Sequence, residues 1–139
     1  MPAPFFAPGW GPSPVEKGLT VTFFAPSDTN STTNLITQGM PMMLPTAPNG
    51  YNAVRPAANA KPDLVCITRQ ERPNGQITCR IVGTGFVEEI DYSNSSVPAG
   101  KLQVVADGAG KWTLVTLASA TGIGEVLTAA GGKALVLFR

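Results

Sequence analysis

The side chains able to do chemistry are few in this chain, and their spacing suits little of it. There is no His, which removes the commonest general base, the commonest metal ligand and most catalytic triads together. Cys66 and Cys79 lack the CxxC spacing of a redox or zinc site. They read as two small buried apolar residues on neighbouring strands, with a disulfide possible but not implied. Glu88 and Glu89 are adjacent, so on a strand their carboxylates point to opposite faces and cannot act as a paired acid and base; a solvated edge is expected for them. Asp107, followed by Gly108, reads as a turn residue. Gly83-Thr84-Gly85 and Gly122-Ile123-Gly124 are too short, and sit on the wrong elements, to cradle phosphate. No catalytic residue, metal site or cofactor site is expected, and a non-enzymatic role follows.

The elements that carry these residues fall into two parts of different character. Residues 1–62 hold eleven of the 13 prolines but only five charged residues, Glu16, Lys17, Asp28, Arg55 and Lys61. Each Pro removes a backbone donor and fixes φ, so long helices and central strands are excluded there. One short strand is predicted at Leu19–Phe24 and one helical turn around Thr33–Gln38. The same segment is rich in large apolar side chains, and the motif FFAP occurs in it twice, at Phe5–Pro8 and Phe23–Pro26. Linkers are Gly/Ser-rich or charged, and apolar side chains left in water invite aggregation. We therefore read residues 1–62 as an extended Pro-rich N-terminal arm that lies on another surface. Its contact residues, with a partner surface or a neighbouring protomer, are expected to be Phe5, Phe6, Trp10, Phe23, Phe24, Met42 and Met43. Burying four Phe rings stabilises by about 6–12 kcal/mol. Ordering the eight residues of the two motifs costs about 8–16 kcal/mol, so the docked arm is near balance and needs a partner.

Residues 63–139 carry recurring strand signals. DLVCITRQ (63–70) and QITCRIV (76–82) flank Glu71-Arg72-Pro73-Asn74-Gly75, which has its Pro and Asn-Gly in turn order. FVEEIDY (86–92) follows. KLQVVAD (101–107) and KWTLVTL (111–117) flank a second tight turn, and GIGEVLT (122–128) and KALVLFR (133–139) complete the set. Short strands separated by turns predict an all-β domain, a small antiparallel barrel or sandwich. A core of that size rarely supplies more than ~3–5 kcal/mol alone, so an oligomer is expected. A net charge of +1 argues against a nucleic-acid partner held by phosphate contacts. No window approaches the ~20 apolar residues of a membrane span. The start, MPAPFFAPGWGPSP, has neither the cationic head nor the apolar run of a signal peptide, so manufacture in the cytosol is expected. The sequons at Asn30 and Asn94 then carry no meaning.

Three runs of the second part bear a resemblance. Pro98–Trp112 (PAGKLQVVADGAGKW), Thr121–Leu127 (TGIGEVL) and Lys133–Leu137 (KALVL) resemble the small decoration, or cement, proteins of tailed-phage capsids. In those proteins a G-x-x-V-x-x-D-x-x-G-K-x-T hairpin precedes an I-G-x-A/V strand and a last strand of alternating aliphatics. Trp112 departs from the pattern, standing near where the family carries a small polar or aliphatic residue, and the Pro-rich segment is longer than the family's minimum. The resemblance implies a β-rich module, often a homotrimer, on the outer capsid surface of a virion assembled in the host cytoplasm. Its partner would be the major capsid protein, whose neighbouring subunits it clamps. The rival reading is a head-displayed or tail-associated β module that binds host surface glycans.

Overall fold

A computed structural model describes residues 18–47, 50–117 and 122–139. Phe5, Phe6 and Trp10 lie outside the described residues. Among these the chain is all-β, with nine strands and no α-helix: β1 (Thr20–Phe24), β2 (Pro41–Met42), β3 (Leu64–Cys66), β4 (Gln76–Ile81), β5 (Phe86–Asp91), β6 (Leu102–Ala106), β7 (Trp112–Thr116), β8 (Glu125–Ala130) and β9 (Lys133–Phe138). They form three antiparallel sheets, in the orders β1-β4-β3-β2, β5-β9-β8 and β6-β7. None closes into a barrel. Single bridges Tyr92↔Trp112 and Val104↔Ile123 tie the β6-β7 ribbon to its neighbours.

The two predicted tight turns close the β3–β4 and β6–β7 pairings. In the first, Asn74 takes a left-handed φ of 57°, a conformation that Asn tolerates better than most residues. In the second, Asp107 Oδ1 accepts the backbone N–H groups of Ala109 (2.7 Å) and Lys111 (2.9 Å), which makes it a turn-former. β8 carries a bulge between Val126 and Thr128 that leaves Leu127 without a partner on β9.

The described part of the Pro-rich segment is not laid out as a free arm. β1 pairs with β4 over its whole length, and β2 pairs with β3. The four-stranded sheet thus draws two strands from each side of Pro62. The segment around Thr33–Gln38 is a series of turns rather than a helical turn. Its backbone is committed outward to Gln70: Ile36 N donates to Gln70 Oε1 (2.9 Å), and Ile36 O accepts from Gln70 N (2.9 Å).

Two apolar clusters lie on opposite faces of β3. Alternation along a strand sends Leu64 and Cys66 one way and Val65 the other. Leu64 and Cys66 join Ala25, Ile36, Met42, Ala53, Ile77 and Cys79. Val65 joins a cluster built on Phe86, Trp112, Val136 and Phe138, in which the Phe138 ring stacks on Phe86 (5.2 Å) and tilts against Trp112 (5.4 Å). The indole of Trp112 links the clusters by donating to Gly39 O at 2.7 Å. Gly39 has φ 88°, and a Cβ there would lie 3.0 Å from Glu89 O, so only glycine fits this seam.

Candidate interaction surface

β1 is an edge strand. Ala25 N donates to Gly75 O, and Leu19 O accepts from Ile81 N, so the odd-numbered residues of the ladder bond to β4. Thr20 and Thr22 therefore turn their backbone groups to the open side. Beyond them the edge is covered: Phe24 N donates to Tyr51 O (3.0 Å), and Phe24 O accepts from Ala53 N (2.9 Å).

Side chains alternate across this strand. Val21 and Phe23 pack partly buried against the Cys66–Cys79 cluster. Phe24 points out and is 45% exposed, and Tyr51, whose carbonyl it bonds, is 74% exposed. Phe24 borders a hollow of about 400 Å³, completed by Glu71, Arg72, Asn74 and Gly75 of the β3–β4 turn and by Gln76 at the start of β4. An apolar residue, charged residues and amide-bearing residues thus border one space open to solvent.

Of the expected contact residues, Phe23 and Phe24 fall on one strand and on its opposite faces. Met42 is enclosed by its own chain at the centre of the Cys66–Cys79 cluster. Met43 is half-buried and exchanges both backbone hydrogen bonds with Val54 (2.8 and 3.0 Å). The exposed residue of that stretch is Leu44. Tyr51 and the turn residues facing Phe24 were not among the expected contact residues. The Phe24↔Asn52 bridge, a parallel contact between distant segments, brings Tyr51 beside Phe24, and the β1–β4 register, with Phe24 opposite Gln76, brings the turn there.

Three polar features lie inside. Cys66 and Cys79 are directly opposed in the β3–β4 register, both fully buried and both free thiols, which matches their reading as buried residues on neighbouring strands. Glu88 is not on a solvated edge: it is 5% exposed, while Glu89 is exposed. Burial pushes the Glu88 carboxyl above its ordinary pKa, against the opposing pull of a hydrogen bond from Gln38 Nε2 (3.2 Å) and the charge of Arg80. The Arg80 guanidinium lies over the Phe86 ring, 5.7 Å from its centre. Gln70 is fully buried and spends its whole amide: besides Ile36 N, its Nε2 reaches Thr29 Oγ1 (3.1 Å) and Arg72 O (3.0 Å).

No group of three or more His, Cys, Asp or Glu able to hold a metal occurs among the described residues. No described helix is long and apolar enough to cross a membrane. No family model matches the chain, and a search of curated proteins finds no match.

Proposed function

We propose that this chain is a structural protein of a phage virion that decorates the assembled capsid and stabilises it by binding across neighbouring major capsid subunits. The observation that carries the reading is the outer face of β1. An edge strand presents backbone groups at Thr20 and Thr22 and a large exposed ring at Phe24 beside Tyr51. A capsid subunit supplying an extended segment would complete both, through main-chain pairing and a ring contact. The motif preceding β1, with Phe5, Phe6 and Trp10, would act as the arm that reaches an adjacent subunit, and a sandwich-like homotrimer would set three such edges on the outer surface. Assembly takes place in the host cytoplasm.

Stabilisation works by mass action: a ligand of the assembled lattice that ignores free subunits shifts the equilibrium towards the shell. Saturating stripped capsids of its own virus with the protein raises the temperature and the osmotic stress at which they rupture. Equal rupture of stripped and saturated capsids refutes the reading.

The hollow at Phe24 favours a second reading, a head-displayed or tail-associated module for host surface glycans. An apolar ring edged by Glu71, Arg72, Asn74 and Gln76 can stack a sugar face and bond its hydroxyls. A glycan array with the full chain separates the two: a specific glycan signal abolished by Phe24→Ala supports this reading, and an empty array with capsid binding intact excludes it.

A further inference from the structure

We propose that Cys66 and Cys79 are a dithiol built to close as a cross-strand disulfide, locking β3 to β4 when the chain folds in an oxidising thiol–disulfide pool. Adjacency in the register is necessary but not sufficient, because antiparallel pairs come in two kinds. Cys66 N donates to Met40 O (3.0 Å), and Cys66 O accepts from Gly39 N (2.7 Å), so both backbone groups of Cys66 turn towards β2. On the other side, Ile67 N donates to Thr78 O and Val82 N to Asp63 O. The bonded pairs between β3 and β4 are therefore the neighbours of Cys66↔Cys79, and that pair is of the non-hydrogen-bonded kind. Its Cα atoms approach to about 4.5 Å, inside the span that a disulfide bridges. Both side chains lie on the same face, in the same cluster.

In the closed fold the two thiols lie against each other, and Cys66 Sγ donates to Thr68 O (2.8 Å). In the open sheet exchange can start from either sulfur. One cysteine thiolate displaces one thiolate from a low-molecular-weight disulfide such as glutathione disulfide. The other cysteine gives up its proton and displaces the second thiolate from the sulfur that carries it. Two protein thiols are oxidised, and one disulfide is reduced to two thiols. The mixed disulfide has no room in the closed fold, since Ile36, Met42 and Ile77 fill the cluster around both sulfurs. Exchange therefore runs while the sheet is open, and closing the sheet expels the second thiol. This inference does not depend on the proposed function.

The test uses the full chain, refolded from denaturant in a buffer of reduced and oxidised glutathione, quenched in acid, alkylated and weighed intact. The expected product has lost two hydrogens, carries no alkyl or glutathione adduct and runs as a single chain. Closing a loop of this length should raise the folded-to-unfolded ratio on the order of a hundredfold over the reduced chain. A Cys66→Ala/Cys79→Ala chain, which carries no thiols, should show no such difference between buffers. Chains that recover the native β spectrum with both thiols alkylated, with glutathione attached or with interchain bonds overturn the proposal. So does an oxidised chain that cannot recover that spectrum.

Discussion

Replacing Gln70 by Leu should be the most costly single change of a polar residue in the described chain, for reasons that can be counted. The side chain is fully buried and its amide has three good partners, Ile36 N, Thr29 Oγ1 and Arg72 O. Leu keeps most of the volume and none of the bonds. Arg72 is exposed, so water can reach its carbonyl, and Thr29 Oγ1 still donates to Pro26 O at 2.6 Å. Ile36 N–H has no such recourse, because Ile36 is itself fully buried. An orphaned buried donor costs about 1–3 kcal/mol, and each other lost bond about 0.5–1.5 kcal/mol. Burying the apolar Leu side chain offsets part of this, leaving a net loss of about 2–4 kcal/mol. For a urea dependence of about 1–3 kcal/mol per molar, the midpoint falls by roughly 1–2 M. Amide exchange supplies a local check, since the Ile36 N–H should lose protection before its neighbours do. A Gln70→Leu chain whose midpoint stays within about 0.5 kcal/mol of the parent, using the same dependence, would show that the amide does not anchor the 27–37 loop, and the reasoning fails with it.

Four further outcomes follow from the same geometry. Glu88→Gln should stabilise the fold at neutral pH. A carboxyl whose folded pKa is raised contributes stability below its unfolded pKa and loses it as pH rises through the folded value. The midpoint difference between the two chains should therefore grow with pH above about 4.3 and level off; a constant difference contradicts it. Trp112→Phe keeps the ring contact with Phe138 but strands Gly39 O, and should cost more than about 1 kcal/mol in a urea melt. Phe24→Ala should leave the midpoint nearly unchanged, because the ring is half-exposed, yet weaken the proposed capsid binding; equal binding by both chains would move the contact away from β1. A fragment of residues 63–139 should show no cooperative melt, because it lacks β1, β2 and the cover over Leu64, Cys66, Ile77 and Cys79. A fragment melting near the parent's midpoint would make the Pro-rich segment dispensable for folding.

Eight of the nine strands were legible because their signals are local: alternation of apolar and polar residues, and turns whose Gly, Asn and Asp leave few choices. β2 was not, because Pro41 reads as a breaker. The bonds to β3 run from Met40 O and Met42 O, which accept from Cys66 N and Asp63 N. Pro41 lies between them with its nitrogen turned to the other side, so the missing N–H costs the ladder nothing. β3 was read too long for the complementary reason: after a last backbone bond from Ile67 N to Thr78 O, the Thr68 side chain takes over from the backbone, its Oγ1 accepting Thr78 N at 3.0 Å. The depth of Glu88 was invisible because strand alternation predicts opposite faces but not which face is covered. What covers it is the Gln38–Gly39 turn, 50 residues away in sequence.

The same limit explains why composition divides the chain at Pro62 and the sheet does not. Proline content reports how a segment behaves alone; burial reports what it packs against. β3 reads as LVC, an unbroken apolar triplet, and a strand of that kind needs cover on both faces. The cluster of Trp112 and Phe138 supplies one cover. The other has to come from outside residues 63–139, and Ala25, Ile36, Met42 and Ala53 provide it. Seen from β3, the apolar side chains of the Pro-rich segment have two destinations. Phe23 and Met42 complete the chain's own core, while Phe24, the next residue along the same strand, is turned outward. The alternation of a single edge strand separates what holds this fold together from what it can offer to a partner.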